Sequence, residues 1–180
     1  MPFLTPEQLK NIGFKSIGSN VLISDKASIF SPNLISIGSN VRIDDFCILS
    51  GTITLGSQIH LAAYSALYGK FGIIMEDYTG LSPRCTIFSA SDDFGGNFLI
   101  SPMVPEECSN VTGGEVVLKR YTQIGAGTVI MPNLTIEEGV AVGAMSYVRH
   151  SLEEWMIYGG NPLRIIKSRE KGLLKYIPQT

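Results

Sequence analysis

The chain contains two histidines, His60 and His150, the side chains best suited to exchange protons near neutral pH. A positioned imidazole can serve as a general base in a transfer reaction. His60 lies mid-chain in GSQIHLAAYSALYG, whereas His150 lies in VRHSLEEW, after the last regular segment. We interpret His150 as a surface or cap residue. His60 is the better candidate for catalysis, although an isolated histidine is incidental in most proteins.

Two further residue types could carry chemistry. Asp92 and Asp93 form an acidic pair that could orient a histidine, bind hydroxyl groups or simply form a solvated turn. The cysteines Cys47, Cys85 and Cys108 are odd in number and lack the spacing of metal ligands, which predicts free thiols in a reducing cytosol. We therefore predict no metal site.

The composition indicates a β-rich protein with many tight turns. Charged residues make up only 17% of the 180 residues, and there are 19 glycines. The net charge of −2 offers no general attraction to nucleic acid or to a membrane surface. We find no signal peptide and no apolar run of transmembrane length, so we expect a cytoplasmic protein.

An apolar residue recurs every six positions through most of the chain, with two slips of two residues and one long gap. All 20 positions of this repeat are Ile, Leu, Val or Met. They are Ile17, Ile23, Ile29, Ile35, Ile37, Ile43, Leu49, Leu55, Leu61, Leu67, Ile73, Met75, Leu81, Ile87, Leu118, Ile124, Ile130, Ile136, Val142 and Val148.

This period predicts a solenoid of short strands, with three strands and three corners in each coil of about 18 residues. If Leu55, Leu61 and Leu67 define sides one, two and three, the next coil repeats them at Met75, Leu81 and Ile87. His60 would then lie at the corner before side two, with Arg42 one coil beneath it. A neighbouring cation would keep the imidazole neutral.

The repeat, and the closing segment GNPLRIIK, resemble the hexapeptide-repeat acyltransferases over about residues 17–170. The resemblance implies an all-β fold, a left-handed parallel β-helix with an extended loop and short terminal helices. The general rule for parallel crossovers favours the opposite hand. The resemblance to this family also implies acetyl-CoA as acyl donor, a sugar acceptor, an essential histidine and a homotrimer with active sites between subunits.

We predict a single domain, 1–180. Residues 1–16 form a cap with a short helix that starts at Thr5-Pro6-Glu7-Gln8, and 17–150 form the solenoid. Residues 88–116 lack the repeat, and we interpret them as a substrate-binding arm rather than a variable insertion. Residues 151–180 form a second, helical cap.

The start of the arm departs from the best-known galactoside and maltose acetyltransferases, which carry their catalytic histidine there. This chain has Ser89-Ala90-Ser91-Asp92-Asp93 instead. It is more similar to surface-polysaccharide acetyltransferases that combine such a stretch with an upstream histidine. We therefore predict His60 as general base towards a sugar hydroxyl, with Asp92 or Asp93 orienting it or binding the sugar.

Small residues after the inward positions of side two could leave a groove for the pantetheine arm of acetyl-CoA. The candidates are Gly125-Ala126 and Gly143-Ala144, one full coil apart, with Ala62-Ala63 and Ser82-Pro83 in earlier coils. Close coil packing would also explain these glycines. The basic residues Arg149, Arg164, Lys167 and Arg169 could bind the CoA phosphates or form an ordinary charged surface.

Three other functions fit the same fold. A nucleotide-sugar N-acetyltransferase is the nearest alternative, and its amine acceptor needs less help from a base. A γ-type carbonic anhydrase needs three histidines per zinc, and the chain has two. A non-catalytic solenoid should show regular exposed rows and no arm.

Overall fold

The six-residue repeat winds the chain into a parallel β-solenoid with three sides, as the computed structural model shows for residues 2–178. Side one comprises β1 (Ser16–Ile17), β4 (Ile35–Ile37), the ends of β6 (Ile48–Leu55) and β8 (Ala66–Met75), β13 (Val116–Leu118) and β16 (Leu134–Ile136). Side two comprises β2 (Val21–Ile23), β5 (Val41–Ile43), β7 (Ile59–Leu61), β9 (Gly80–Leu81), β14 (Gln123–Ile124), β17 (Ala141–Val142) and β19 (Met156–Gly159). Side three comprises β3 (Ser28–Phe30), the starts of β6 and β8, β10 (Thr86–Phe88), β15 (Val129–Ile130) and β18 (Tyr147–Val148).

The predicted register is confirmed. Leu55 pairs with Met75, Leu61 with Leu81, and Leu67 with Ile87. Of the 20 repeat positions, 18 are buried in one continuous core. The exceptions, Ile17 and Ile29, lie in the first coil, which the N-terminal segment covers less completely than another coil would. The core is therefore stabilised coil against coil, as expected of a solenoid.

The corners are held by side chains that donate hydrogen bonds to backbone carbonyls of the next coil. The Cys47 thiol lies 3.3 Å from the carbonyl oxygen of Ala62, and the Cys85 thiol lies 3.2 Å from that of Gly125. Burial raises the pKa of both thiols to about 11. Both cysteines are free, and we assign them a structural role because protonated, buried thiols are poor nucleophiles.

The N-terminal helix α1 (Pro6–Ile12) starts where the sequence predicts. The backbone N–H of Gln8 donates to the Thr5 hydroxyl at 3.2 Å, and the Gln8 side chain accepts from the Thr5 N–H at 2.8 Å. These bonds form a capping box. Leu4, Leu9 and Phe14 pack against the core, so this segment covers the open end of the solenoid.

The arm leaves side three after β10 and returns at β13 on side one. Its root is a two-stranded antiparallel ladder of β11 (Ala90–Ser91) and β12 (Thr112–Gly113), followed outward by a 3₁₀ turn at Glu106–Cys108. The Ser89 hydroxyl fastens the root by accepting from the N–H of Phe71 and donating to the carbonyl of Tyr68. The arm is therefore ordered at its base.

The C-terminal segment corrects one prediction. Residues expected to be helical form β20 (Arg164–Ser168), which pairs antiparallel with β19, and only Gly172–Tyr176 is helical, as a 3₁₀ turn. The last coil exposes an unpaired strand edge, and β20 satisfies its backbone groups. Arg169 completes the cap by donating to the carbonyls of Tyr121, Gly139 and Val140.

Candidate active site

His60 lies on the outer surface of side two. Its neighbours Ile59 and Leu61 point into the core, so the alternation of the strand turns the imidazole outward, where half of it is exposed. The sequence placed His60 at a corner; the structure places it within β7. Arg42 pairs directly with it in the adjacent coil, as predicted.

A carboxylate that the sequence analysis missed joins these two residues. Asp44 Oδ1 accepts a hydrogen bond from Arg42 Nε at 2.7 Å, and Asp44 Oδ2 lies 2.8 Å from His60 Nε2. Burial raises the pKa of Asp44, but the hydrogen bonds from Arg42 and His60 outweigh this and hold the pKa below its ordinary value. The sequence analysis gave Arg42 as the charged neighbour of His60 but did not include Asp44, which contacts both residues and balances the charge of Arg42.

The two acids of the arm have different environments. Asp93 accepts hydrogen bonds from the backbone N–H groups of Gly95, Asn97 and Phe98 and so folds the start of the arm. The Asp92 carboxylate has no hydrogen-bond partner within residues 2–178. Neither acid orients His60, since Asp44 holds that position. Asp92 alone remains available to a ligand.

Asp92 lies on a cavity of about 210 Å³ at the root of the arm. The walls are mostly apolar. They are formed by Phe88, Ala90, Ser91, Asp92, Phe94 and Met131. This combination of an unpartnered carboxylate and apolar walls suits a small ligand with one cationic group and one apolar face.

The small residues predicted to form a groove do line one, at the corner between sides two and three. Ala126 and Ala144 share this groove, of about 470 Å³, with Gly127 and with Ala63 and Pro83 of earlier coils. The larger side chains of Tyr64, Arg84 and Met145 complete its lining. Gly125 has a different reason to be glycine, because a Cβ atom there would lie 2.5 Å from the backbone nitrogen of Ala144. A Cβ atom at Gly143 would meet only ordinary contacts, so coil packing does not require that glycine.

The predicted phosphate-binding residues separate in the structure. Arg164 pairs with Gly159, the last residue of β19, where side two turns towards the corner that carries the groove. Lys167 pairs with Ile157, nearer the start of β19. Both are exposed. Arg149 and His150 line a different cavity of about 300 Å³ with Asn161 and Pro162. Neither Arg164 nor Lys167 lines the groove itself, and Arg164 is the nearer of the two to the end of β19.

Within residues 2–178 no cluster of three or more His, Cys, Asp or Glu side chains is arranged to hold a metal ion. In the same part of the chain, no helix is long and apolar enough to cross a lipid bilayer.

Comparison with known proteins points to acyl transfer. Over 178 residues the chain is 42% identical to the dTDP-4-amino-4,6-dideoxy-D-glucose acyltransferase of Escherichia coli. This alignment covers 97% of this chain and 93% of the Escherichia coli protein. No protein-family profile matches the chain. The structure of the hexapeptide-repeat-containing acetyltransferase of Vibrio cholerae superposes with a TM-score of 0.61 at 18% sequence identity. The superposition covers 91% of this chain and 78% of the Vibrio cholerae chain, which shows a shared fold.

A nearer structural match is a serine-to-threonine mutant of AntD, an N-acyltransferase from Bacillus cereus, in complex with dTDP and coenzyme A. Its TM-score is 0.94 at 54% identity, over 97% of this chain and 94% of that one. Another AntD structure contains 3-hydroxybutyryl-CoA. Other AntD structures carry different replacements of that same serine, or a replacement of an aspartate ten residues farther along the chain.

Proposed function

We propose that this chain, which belongs to the hexapeptide-repeat acyltransferase family, transfers an acyl group from coenzyme A to the amine of a dTDP-linked 4-amino-4,6-dideoxyhexose. The sequence favoured a sugar hydroxyl as acceptor. The relatives support the alternative instead, because the E. coli protein is named for an amino sugar and AntD for N-acylation.

One observation assigns this proposed reaction to particular residues of the chain. Ser82 and Asp92 are the only serine and aspartate of this chain that lie, in that order, ten residues apart. This is the separation of the two residues replaced in AntD. Asp92 is also the unpartnered carboxylate on the arm cavity, and Ser82 begins the corner that carries the groove.

Acyl transfer to an amine assigns a role to each residue. The amine nitrogen attacks the thioester carbonyl carbon, a C–N bond forms, the C–S bond breaks, and the leaving thiolate gains a proton as the nitrogen loses one. Asp92 holds the amine, accepts the proton that the nitrogen loses and delivers it to the leaving thiolate. The Ser82 hydroxyl, which makes no hydrogen bond within residues 2–178, donates to the thioester oxygen as negative charge develops there.

These roles require two copies of the chain. Ser82 lies at the corner between sides two and three, and Asp92 lies beyond side three at the root of the arm. We propose a homotrimer in which the arm of one subunit reaches the groove of its neighbour. The acyl donor, acetyl-CoA or a related thioester, lies in that groove along Ala126 and Ala144, with its phosphates towards Arg164.

The test is product identity. Purified protein is incubated with acetyl-CoA and either dTDP-4-amino-4,6-dideoxyglucose or the matched 4-hydroxy sugar, dTDP-6-deoxyglucose, and the products are analysed by mass spectrometry. We expect acetylation of the amino sugar alone. Acetylation of the hydroxy sugar at a comparable rate would contradict the proposal and favour an O-acetyltransferase.

A further inference from the structure

We propose that the cavity at the root of the arm holds the sugar ring of the acceptor and selects a hexose that carries a methyl group, not a hydroxymethyl group, at C5. This inference rests on the proposed function, because it assumes that Asp92 binds the amine at C4. It adds the residues that distinguish the acceptor from its 6-hydroxylated analogue: Phe88, Phe94 and Met131.

The cavity wall is built on side three. Ile87 pairs with Ile130 and Phe88 points outward, so Met131 lies one coil above Phe88 on the same outer surface. The Phe88 ring stacks on that of Tyr68, with centroids 5.2 Å apart and planes inclined by 10°. This stacking fixes the ring that forms the floor, and Phe94 approaches from the arm.

The size of the cavity limits what can enter it. Sites for drug-sized ligands typically have volumes of about 300–1,000 Å³. At about 210 Å³, this cavity is below that range. It suits a single six-membered ring, and the nucleotide of a dTDP-sugar must then lie outside it.

Sugar stereochemistry links the amine to the cavity wall. In a hexopyranose, the group at C4 and the C6 group on C5 are attached to adjacent ring carbons. A ring that presents its C4 amine to Asp92 therefore presents C6 to the side chains beside Asp92. Those side chains are apolar, except for Ser91, whose hydroxyl donates to the Asp92 carbonyl at 3.2 Å.

An apolar wall favours a methyl group over a hydroxymethyl group for a simple reason. Burying a methyl group removes apolar surface from water, whereas burying a hydroxyl without a partner costs its hydrogen bonds to water. An apolar pocket rejects an added hydroxyl only modestly, by up to about 10²-fold. We therefore expect a preference of about 10- to 100-fold for the 6-deoxy sugar.

The experiment compares kcat/KM for dTDP-4-amino-4,6-dideoxyglucose and dTDP-4-amino-4-deoxyglucose, with acetyl-CoA in both assays. Wild type should prefer the 6-deoxy sugar by at least about tenfold. Met131→Gln keeps the side-chain length and adds an amide that can bind a 6-hydroxyl, so the preference should fall by about tenfold or more. Met103→Gln is the matched control, because Met103 is 89% exposed on the arm and should leave the ratio unchanged.

Phe94→Ser provides a second variant whose folding is secure, because Phe94 is 83% exposed. It should raise KM for the 6-deoxy sugar and reduce the preference. A wild-type ratio near one would overturn the sugar-pocket proposal while leaving N-acylation intact, and so would an unchanged ratio in folded Met131→Gln and Phe94→Ser proteins. Failure of wild type to acylate either amino sugar would instead overturn the proposed function.

Discussion

Asp44 and His60 are joined across two adjacent coils, with Oδ2 of Asp44 2.8 Å from Nε2 of His60. The pKa of Asp44 is lowered, so its carboxylate is ionised near neutral pH and can only accept a hydrogen bond. His60 must then carry its proton on Nε2. In the neutral imidazole the free lone pair is therefore on Nδ1, and any proton that His60 accepts binds there.

The effect of this pair on stability should depend on pH. The pKa of Asp44 is lower in the folded chain than its ordinary value of 3.8, so its contribution is complete above that value and is lost as the pH falls through the folded pKa. We expect Asp44→Asn to lower the free energy of unfolding by about 1 kcal/mol at pH 6, since half-exposed Arg42 and His60 are screened by water. The difference should shrink below about pH 4.

Urea denaturation of both proteins between pH 2.5 and 6 measures this difference. Asp25→Asn is the control, because Asp25 is exposed and its carboxylate makes no hydrogen bond or ion pair with any of residues 2–178. A difference that grows as the pH falls would show that the sign is wrong.

Replacing His60 tests whether the acceptor needs a strong base. An amine has a nucleophilic lone pair once neutral, so we expect His60→Ala to lower kcat/KM by less than about tenfold with an amino sugar. A hydroxyl acceptor would instead predict a loss of about 10²-fold or more. His150→Ala should match wild type, because His150 is exposed and, within residues 2–178, its ring hydrogen-bonds only with the carbonyl of Ser151.

The six-residue period was sufficient to predict the solenoid, because one inward residue per strand must face the core in every coil. It also placed Arg42 beneath His60, since one full coil separates them. It could not predict the Asp44 contact, which depends on side-chain directions at a corner. The Arg42-Ile43-Asp44 spacing was its only signal, and that spacing alone is common on surfaces.

Two other features lay beyond the sequence pattern. The segment RIIKS can form a helix or a strand. It forms a strand because pairing with β19 satisfies the backbone groups at the open edge of that strand. The adjacent acids Asp92 and Asp93 look equivalent in the sequence. Only the fold of the arm shows that the Asp93 carboxylate accepts hydrogen bonds from backbone N–H groups, whereas the Asp92 carboxylate accepts none within residues 2–178.

The groove should be required for binding of the acyl donor. Acetyl-CoA at 100 times its Kd should stabilise the folded wild type by about 2.7 kcal/mol, which raises Tm. Ala126→Trp should remove this shift, because the indole would fill the groove. Leu22→Trp, on the outer surface of side two near the opposite end, should keep it. A normal CoA response in folded Ala126→Trp would place the donor elsewhere.

Neighbouring acids at the root of the arm allow a sharp separation of chemistry from structure. Asp92→Asn removes the proposed proton acceptor but keeps the shape of the side chain. We expect kcat to fall by about 10²-fold or more, with Tm and CoA binding unchanged. Asp93→Ala removes the acceptor of three backbone N–H groups, so it should loosen the arm and raise amide hydrogen exchange at Gly95, Asn97 and Phe98.

Steady-state kinetics and hydrogen exchange on both variants distinguish the two roles. Asp93→Ala should chiefly raise KM for the acceptor, because a loosened arm presents a less ordered cavity. Asp92→Asn should leave hydrogen exchange in the arm at the wild-type level. If Asp92→Asn retained nearly full kcat with the amino sugar, Asp92 would not be the proton acceptor, and the pairing of Ser82 with Asp92 would lose its chemical meaning.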